Sequence, residues 1–369
     1  MRDGDQRAMK SPEEWMKLAL ELAYETHTSP NPRVGAVVVR EGALVGCGAH
    51  VCAGSPHAEV QALRMAGEAA EGATLYVTLE PCVHYGRTPP CVEAIVASGI
   101  REVRIGCLDP DERVRGRGVE FLRAAGIYVV PGVVEEDCMA LNEGYLHHRE
   151  TGRPLVILKV ASTLDGRLAT VTGDSLYITG KVARARVHEL RHRCDAVLTG
   201  IGTVLADDPQ LTVRLPAGGH QPMRVIVDSQ LRLPPKARLV REKGSSTWVF
   251  TTEEGADPDR RALLEGKGVR VSIAGKGPRT CWGEVLRQLG TAGITSLLVE
   301  AGGTVNASLL HAGVVQKVVW FLAPKLLGGI NSLPSIAGGD PLFLSEALPL
   351  HDVQVERLGE DLCLSGSIR

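Results

Sequence analysis

The chain has 369 residues, of which 44% are hydrophobic and 4% aromatic, and its formal net charge is −2. This composition fits an α/β protein of about two domains and excludes a disordered or fibrous chain, and the charge excludes the basic character typical of nucleic-acid-binding proteins. Its nine cysteines are odd in number and thinly spread, so we expect reduced thiols instead of a disulfide framework. We see no signal peptide and no apolar run long enough for a membrane span, so the expected compartment is the cytoplasm.

The first half of the chain predicts helices alternating with strands. Ser11 and Glu14 form a capping box around Pro12, which marks the first helix start. Glu41-Gly42 separates two strand-like runs and indicates a hairpin. The predicted elements are a helix from Ser11 to near Thr26, strands 34–40 and 43–50, a helix from Ser55 to about Gly67, strand 74–80, helix 91–97, strand 103–107, helix 119–125 and strand 128–130.

A break at Glu150-Thr-Gly-Arg-Pro154 indicates a domain boundary, and we predict domains at residues 1–148 and 149–369. The second domain again alternates between strands and helices, which predicts a largely parallel sheet covered on both faces. The predicted strands are 155–161, 196–199, 223–228, 247–251, 296–300 and 317–322, and the predicted helices are 181–193, 258–266, 282–290 and 304–312.

Three residues of the first half are candidate ligands for a catalytic metal. His57 and Cys91 stand at predicted helix starts, and Cys82 follows a predicted strand. Helix N-termini favour thiolate over thiol, and catalytic zinc commonly has three protein ligands and one open position. The sequence therefore predicts a zinc site. A structural zinc with His84 as the fourth ligand, or buried thiols without a metal, are the alternatives.

Glu59 follows His57 by two residues and is the candidate catalytic acid–base. A carboxylate there could face a zinc-activated water and carry its proton to a ring nitrogen and a leaving amine. His-x-Glu followed by Pro-Cys and a second Cys is the layout of zinc nucleobase deaminases. Here eight residues separate Cys82 from Cys91, and we expect this insertion to form a loop from which His84 and Arg87 could hold substrate. The alternative is that both side chains are only solvated.

A second candidate site lies in the other half of the chain. The run Gly200-Ile-Gly202-Thr-Val-Leu205 lacks the third glycine of a dinucleotide-binding fingerprint, and we reject that interpretation. Glu300-Ala-Gly302-Gly303-Thr304 follows a predicted strand and begins a helix, where backbone N–H groups could approach a pyrophosphate. An ordinary strand-to-helix turn is the alternative.

The sequence resembles the bifunctional deaminase/reductase family of riboflavin biosynthesis over about residues 10–369. The resemblance is carried by ordered runs in both halves, among them Pro30-Asn-Pro-Arg-Val-Gly35, Gly54-Ser-Pro-His-Ala-Glu59, Thr78-Leu-Glu-Pro-Cys82, His84-Tyr-Gly-Arg-Thr-Pro-Pro-Cys91, Thr203-Val-Leu-Ala-Asp-Asp-Pro209 and Ala323-Pro-Lys-Leu-Leu-Gly328. It implies a cytidine-deaminase-like three-layer domain followed by a dihydrofolate-reductase-like domain.

The resemblance also implies two consecutive reactions. The first is zinc-dependent hydrolytic deamination of 2,5-diamino-6-(5-phosphoribosylamino)pyrimidin-4-one, and the second is NADPH-dependent reduction of the ribosyl group to ribityl. The implied partner is thus a small phosphorylated pyrimidine, with no nucleic acid or membrane, and we expect a homo-oligomer. The rivals are a nucleic-acid deaminase of the tRNA-editing type and a deaminase whose second domain only binds a regulatory nucleotide.

Site residues follow from the same resemblance, position by position. Deaminase-pocket residues would be Asn31 and His50. Residues lining NADPH would be Ala161, Tyr177, Thr203, Asp207, Ser229 and the run Gly302, Gly303, Thr304, Val305, Asn306, Ala307 and Ser308. Residues holding the substrate of the second step would be Ser175, Arg191, Leu211, Arg214 and Glu300. Arg191 and Arg214 suit a phosphate, since guanidinium groups bind it bidentately. Lys159, Asp207 and Glu300 are the polar candidates for a proton donor during hydride transfer.

Overall fold

The chain folds as two units, Met1–Gly152 and Arg153–Arg369, and each is described here by itself. The structure is a computed structural model that describes residues 10–52, 54–85, 89–111, 114–175, 178–216 and 218–368. The boundary predicted after residue 148 falls within a helix that runs to Thr151. Among the described residues, no helix has both the length and the apolar character needed to cross a membrane.

The first unit is a five-stranded sheet with helices on both faces. The sheet order is β2-β1-β3-β4-β5, in which β1 runs antiparallel to β2 and β3, and β3, β4 and β5 are parallel. The strands are β1 Gly35–Arg40, β2 Ala43–Ala49, β3 Thr74–Leu79, β4 Glu102–Cys107 and β5 Tyr128–Pro131. The helices are α1 Pro12–Tyr24, α2 Ala58–Ala66, α3 Cys91–Ala97, α4 Arg117–Ala124, α5 Glu135–Leu141 and α6 Glu143–Thr151, with a 3-10 turn at Gly67–Ala70.

Alternating strand residues supply two cores, one on each face of this sheet. Val38 of β1 packs with α2, α3 and α4, whereas its neighbours Val37 and Val39 pack with α1 and α5. The capping box at Ser11 and Glu14 is present, which confirms the predicted start of α1. These contacts give three layers, with the sheet in the middle.

Two sequence expectations for this unit were wrong. Helix α2 begins at Ala58 with His57 as its N-cap, because the chain turns at residues 54 and 55 and is still extended at His57, so the predicted start at Ser55 was too early. Helices α5 and α6 were not predicted. Helix α6 is polar and buries only Tyr145, so its sequence carries almost no apolar period.

The second unit contains a nine-stranded sheet in the order β11-β10-β9-β8-β12-β6-β13-β16-β15. The strands from β11 to β13 in that order are parallel, and β16 and β15 complete the sheet in antiparallel pairing, which confirms the largely parallel prediction. The strands are β6 Leu155–Thr163, β7 Arg167–Ala169, β8 Ala196–Gly200, β9 Met223–Val227, β10 Thr247–Thr251, β11 Arg270–Ile273, β12 Ser296–Val299, β13 Lys317–Ala323, β14 Leu333–Pro334, β15 His351–Leu358 and β16 Asp361–Ser367.

Helices cover both faces of the parallel part of this sheet. Leu198 of β8 packs in the core with α11 and α12, whereas its neighbour Val197 packs on the other face with α8, α9 and α10. The helices are α7 Lys181–Arg193, α8 Ile201–Asp207, α9 Arg238–Arg241, α10 Pro258–Glu265, α11 Trp282–Thr291 and α12 Gly303–His311, with a 3-10 turn at Leu344–Glu346. Short or polar elements, among them α8, α9, β7, β11, β14, β15 and β16, were not predicted.

Candidate functional sites

His57, Cys82 and Cys91 converge in the first unit, as the sequence predicted for three metal ligands. His57 is the N-cap of α2, Cys91 is the first residue of α3, and Cys82 lies in the loop after β3. Extended backbone at His57 and at Pro90 directs the chain into each helix at this point. Their ligand atoms all lie within 4.8 Å of one another.

The distances and the donor chemistry fit a zinc ion. His57 Nδ1 lies 3.0 Å from Cys91 Sγ and 3.6 Å from Cys82 Sγ, near the roughly 3.5 Å that separates nitrogen and sulfur ligands of tetrahedral zinc. Hydrogen bonds from Cys91 outweigh burial and, with His57, lower the pKa of the Cys82 thiol to about 4. The Cys91 thiol has a raised pKa because it donates to Cys82 and is buried. These opposite shifts favour one thiolate, on Cys82, and one thiol, on Cys91.

The same group leaves room for a fourth ligand that is not a side chain. Among the described residues, the set with mutually close ligand atoms contains these three and does not include His84. His84 lines the same cavity, and its Nδ1 is buried without a hydrogen-bond partner in the described part of the chain. The geometry thus favours an open catalytic site over a closed structural one.

Glu59 lies in the first turn of α2, and its carboxyl group faces the same cavity. The side chain is 3% exposed, and its Oε2 atom has no hydrogen-bond partner within the described residues. Burial raises the pKa of this carboxyl group, and the negative charge on Cys82 raises it further. A buried carboxyl group with a raised pKa and an unpaired oxygen can both accept and return a proton.

A cavity of about 340 Å³ opens beside these residues and contains the other predicted pocket side chains that the structure describes. Asn31 Nδ2 lies 3.2 Å from His50 Nε2, so the two residues form one polar wall. The rings of His50 and His57 meet edge to face with centroids 5.3 Å apart. Arg87 lies outside the described residues.

The cavity also contains acidic and aromatic residues that were not predicted. Asp109 follows β4 and is 7% exposed, and the Tyr145 hydroxyl donates to its carboxylate at 3.3 Å. Arg149 lies above the Tyr145 ring and 3.9 Å from Asp111. Because β4 is parallel to β3, the carboxyl end of β4 lies near Cys82. This position was the sequence signal that could have identified Asp109 as a cavity residue. Tyr145 and Arg149 belong to the unpredicted α6.

Glu80, which directly precedes Pro81 and Cys82, holds the metal-site loop to α4. Its carboxylate accepts hydrogen bonds from the backbone N–H groups of Asp109, Gly116, Gly118 and Val119 at 2.9–3.3 Å. These donors include the first turn of α4, whose partial positive charge favours an anion. Glu80 thereby fixes the loop that carries Cys82.

In the second unit, Lys159, Arg191 and Glu300 form one buried charge cluster. Glu300 directly follows the strand β12, Lys159 lies on the neighbouring β6, and Arg191 lies on α7. Lys159 Nζ is 3.2 Å from Glu300 Oε2, and Arg191 binds both carboxylate oxygens at 2.5 and 3.0 Å. Burial opposes ionisation of Glu300, but Arg191 and Lys159 outweigh it and hold its pKa at about 2.

The two arginines predicted to hold phosphate differ in their surroundings. Arg191 also donates to the Thr212 carbonyl, so it is largely committed within the protein. Arg214 is exposed and binds Gln210 at 2.8 Å. Partial burial lowers the pKa of Arg214, and the positive charge of Arg191 lowers it further. The two guanidinium groups therefore interact electrostatically.

The glycine-rich turn begins a helix, as predicted. Gly302 is the N-cap of α12, and a Cβ on it would lie 3.9 Å from the Thr203 hydroxyl. A Cβ on Gly303 would lie 2.3 Å from the Pro334 carbonyl, so only glycine permits this close approach. The N-terminal turn of α12 is thus bordered by Thr203 on one side and by the segment 332–338 on the other.

Two side chains of the predicted NADPH run point into the protein. Asn306 is fully buried and donates to the Ser335 carbonyl at 2.9 Å. The Ser308 hydroxyl accepts from the Trp282 indole at 3.0 Å. Both residues therefore support the turn instead of reaching out of it. In the rest of the run, Ala307 is buried, Val305 is half-buried and Thr304 is exposed.

The remaining predicted residues are not joined to the Glu300 cluster by the contacts that the structure describes. Ala161 is half-buried on β6. Asp207 is exposed at the end of α8, and the Ser229 hydroxyl, after β9, accepts from Thr280 N at 3.2 Å. Leu211 is buried with a φ of 52°, and Ser175 is half-buried. Tyr177 lies outside the described residues.

Two protein-family models match the chain, one in each unit. Residues 9–107 match the cytidine and deoxycytidylate deaminase zinc-binding region, and residues 154–364 match the RibD C-terminal domain. The second match spans more than half of the chain. These matches agree with the metal-ligand group in the first unit and the charge cluster in the second.

Relatives and solved structures cover nearly the whole chain. The riboflavin biosynthesis protein RibD of Aquifex aeolicus (strain VF5) is 46% identical over 95% of this chain and 96% of its own, and that of Escherichia coli (strain K12) is 42% identical over 95% and 96%. A structure of Acinetobacter baumannii RibD superposes with a TM-score of 0.86 at 40% identity, covering 97% of this chain and 98% of that one. A Thermotoga maritima diaminohydroxyphosphoribosylaminopyrimidine deaminase/5-amino-6-(5-phosphoribosylamino)uracil reductase gives 0.85 at 39% identity with the same coverage. The cytidine-deaminase-like and dihydrofolate-reductase-like fold predictions are confirmed.

Proposed function

Because this chain belongs to the RibD family of bifunctional deaminase/reductases of riboflavin biosynthesis, we propose that the His57–Glu59 cavity performs the deamination and the Glu300 cluster the reduction. The enzyme is a hydrolase and an oxidoreductase that uses zinc and NADPH, and its substrate is a small pyrimidine of this pathway. The observation that carries the assignment of the first site is the convergence of three ligand atoms next to a buried carboxyl group with an unpaired oxygen.

In the first unit, His57, Cys82 and Cys91 would hold the zinc ion. Zinc supplies the Lewis acidity that makes a water molecule nucleophilic near neutral pH. Glu59 takes one proton from the attacking water and delivers it to the ring nitrogen. It then carries the second proton, from the hydroxyl group of the tetrahedral adduct, to the amino group, which leaves as ammonia. The burial of Glu59 suits this cycle, because a raised pKa brings the protonated and ionised forms of the carboxyl group closer in free energy near neutral pH.

The rest of the cavity orients the pyrimidine. Asn31 and His50 form a polar wall beside His57, and His84 offers an unpaired buried nitrogen. Asp109, held by Tyr145, presents a carboxylate that can accept hydrogen bonds from amino or hydroxyl groups of the substrate. A ribosylaminopyrimidine carries both kinds of donor. Arg149 and the predicted Arg87 are the cations through which this site would bind the phosphate.

In the second unit, Glu300 organises the charges of the reductive site. NADPH supplies the hydride that converts the ribosyl group to ribityl. Glu300 fixes the side chains of Lys159 and Arg191 at the carboxyl end of β12 through ion pairs, and we assign the role of proton donor to Lys159. Arg214, which is exposed, is the arginine available for the substrate phosphate.

The N-terminal turn of α12 would receive the pyrophosphate of NADPH. Its N-terminal N–H groups and partial positive charge favour phosphate, and the absence of a side chain at Gly302 permits close approach. Thr203 borders this turn directly, and Asn306 acts as a positioning residue through Ser335. Ala161, Ser229 and Asp207 would line the remainder of the cofactor.

The state of the substrate, the oligomeric state and the compartment are also part of this proposal. The substrate is phosphorylated, the chain forms a homo-oligomer, and the enzyme acts in the cytoplasm. The tRNA-editing alternative is not favoured, because the similarity to RibD proteins extends through both units. A purely regulatory second unit is not favoured either, since that unit matches the RibD C-terminal domain.

A sequential assay tests the whole proposal. The purified enzyme is given the diaminopyrimidine ribosylamine phosphate, and ammonia is measured without NADPH. NADPH is then added, and its oxidation is followed at one equivalent per substrate. Ammonia release followed by NADPH oxidation is expected, whereas NADPH oxidation before any ammonia is released would contradict the order of the two reactions.

A further inference from the structure

Arg214 lies on a segment that has no regular secondary structure of its own. The described residues 211–216 follow α8 without forming a helix or a strand. The exposed Arg214 guanidinium group donates to the side-chain oxygens of Gln210 at 2.8 Å and Thr212 at 3.3 Å. Because loops take their position from the elements against which they lie, the direction of Arg214 depends on what holds this segment.

Helix α7 holds the chain on both sides of Arg214. Arg191 Nη1 donates to the Thr212 carbonyl at 3.0 Å, and the backbone N–H of His220 donates to His192 Nδ1 at 2.9 Å. A Cβ on Gly219 would lie 2.7 Å from the same His192 nitrogen, so the chain can approach this ring only because residue 219 is glycine. The segment is therefore fastened to one helix before and after the arginine.

His188 is the residue of α7 that contacts Arg214 itself. It stands three residues before Arg191 and four before His192, so all three side chains lie on the same face of the helix. The backbone N–H of Arg214 donates to His188 Nδ1 at 3.4 Å, which is a long hydrogen bond. No role of His188 follows from the sequence motifs, but its ring lies against the backbone that carries the exposed arginine.

The surroundings of His188 favour the form of the ring that can accept this hydrogen bond. Nδ1 is an acceptor only in the neutral imidazole that carries its proton on Nε2. Burial lowers the pKa of His188 from the usual 6.5, and the positive charges of Arg191 and Arg214 lower it further. The Thr212 carbonyl and the Glu300 carboxylate oppose this shift but do not reverse it.

We infer that His188 is a positioning residue of the reductive site, which directs Arg214 toward the substrate phosphate by accepting the Arg214 backbone N–H. The inference rests on the proposed assignment of Arg214 to that phosphate. An arginine whose backbone is already fixed loses less conformational entropy when it binds an anion, so His188 contributes to affinity without touching the substrate. The turnover of bound substrate does not depend on it.

Steady-state kinetics of the reductase step, with the deaminated ribosylaminopyrimidine in its phosphorylated and dephosphorylated forms, test this role. His188→Ala is expected to raise the KM for the phosphorylated form by about 2–10-fold, with kcat and the KM for the dephosphorylated form nearly constant. His188→Asn is expected to restore most of the affinity, because its amide oxygen can accept in place of Nδ1. The matched control is Glu189→Ala, which alters the next residue of α7, whose side chain is 44% exposed and pairs with Arg186.

Three results of this experiment would overturn the inference. They are an unchanged KM in His188→Ala, an equal increase for both forms of the substrate, and a His188→Asn enzyme that is no better than His188→Ala. Normal turnover of the dephosphorylated form shows that a variant is folded.

A double variant separates this inference from the proposed function. If His188 acts through Arg214, adding His188→Ala to Arg214→Ala should raise the KM no further, whereas additive increases would show independent roles and contradict the inference. A phosphate-specific effect of Arg214→Ala without one of His188→Ala would overturn the inference alone. No phosphate-specific effect of Arg214→Ala would overturn the assignment of Arg214 and the inference together.

The pH dependence of the KM gives a result that a merely structural role would not produce. Protonation of the phosphate, with a pKa of about 6, weakens binding equally in wild type and His188→Asn, so the ratio of their KM values reports on His188. Because protonated imidazole cannot accept, the wild-type KM should rise more steeply than that of His188→Asn as the pH falls from about 8 to about 5.5. Parallel profiles would contradict the role of the neutral ring.

Discussion

His57 Nδ1 lies 3.0 Å from Cys91 Sγ although 34 residues separate them in the chain. Each residue stands at the start of a helix, His57 as the N-cap of α2 and Cys91 as the first residue of α3. Two helix starts therefore meet at one point, next to the loop that Glu80 anchors. The candidate metal ligands are held by rigid elements, which is the arrangement that precise catalytic geometry needs.

Glu59→Gln is expected to abolish deamination without affecting the reductase. The amide cannot take up a proton, so ammonia release should fall by about 10²–10⁴-fold, the usual contribution of a general acid–base. NADPH oxidation on pre-deaminated substrate and the zinc content should remain unchanged. Exposed Glu68, on the turn after α2, provides the control Glu68→Gln. Loss of both activities in a folded Glu59→Gln protein would argue against two separate sites.

Glu300→Gln is expected to destabilise the second unit in a pH-dependent way. The pKa of Glu300 is held at about 2, below its unfolded value of about 4.3, so the ion pairs stabilise the fold above that value and lose this contribution as the pH falls toward 2. The variant should lose about 3 kcal/mol at pH 7 and about half of that at pH 3. Urea unfolding followed by tryptophan fluorescence measures the difference.

Glu284→Gln is the matched control for that experiment. The pKa of Glu284 is also lowered to about 2, by hydrogen bonds from Arg287 and Gln288, but its side chain is 34% exposed. Solvent screening reduces such surface pairs to about 0–1 kcal/mol. Equal losses in the two variants at pH 7 would show that the buried cluster does not hold Glu300 in the way described.

Arg214→Ala is expected to weaken binding of the phosphorylated substrate in the reductase step. Loss of a charged hydrogen bond of about 1.5–3 kcal/mol corresponds to a KM increase of about 10–100-fold, with little change for a dephosphorylated analogue. Steady-state kinetics with both substrates measures the effect, and exposed Arg193 on α7 gives the control Arg193→Ala. The same KM increase for both substrates would mean that Arg214 does not bind phosphate.

Asn306→Ala is expected to raise the KM for NADPH by about 10-fold while kcat stays nearly constant. The change removes the hydrogen bond to the Ser335 carbonyl and so loosens the segment beside the α12 turn. Exposed Asn331 lies close in sequence to that segment and provides the control Asn331→Ala. A fall in kcat with an unchanged KM would place Asn306 in the reaction itself and contradict its positioning role.

The sequence could predict that His57, Cys82 and Cys91 come together because their signals are local. His57-x-Glu59, Pro81-Cys82 and Pro90-Cys91 each combine a reactive residue with an element boundary, and the order of the three runs was informative. The strongly periodic α1 and α7 and the apolar parallel strands were predicted for the same reason. The start of α2 was placed too early, because Ser55-Pro56 resembles a helix cap although the backbone is still extended at His57.

Features that depend on distant contacts were not predicted. Tyr145 and Arg149 reach the cavity on α6, whose polar sequence carries no apolar period. The pairing of Arg191 with Glu300 joins residues 109 positions apart, so the sequence suggested a phosphate ligand where the structure has a buried ion pair. Strands β15 and β16 were missed because one face of β15 is exposed and its apolar residues are few.

Metal content and coordination of the purified protein test the central claim most directly. The account predicts one zinc per chain, bound by two sulfurs, one imidazole nitrogen and one ligand that is not a side chain, as read by elemental analysis and X-ray absorption. Cys82→Ser, Cys91→Ser and His57→Ala should each reduce the zinc content, whereas Cys47→Ser should not. A wild-type enzyme that deaminates without zinc, or a zinc ion closed by a fourth side chain, would contradict it.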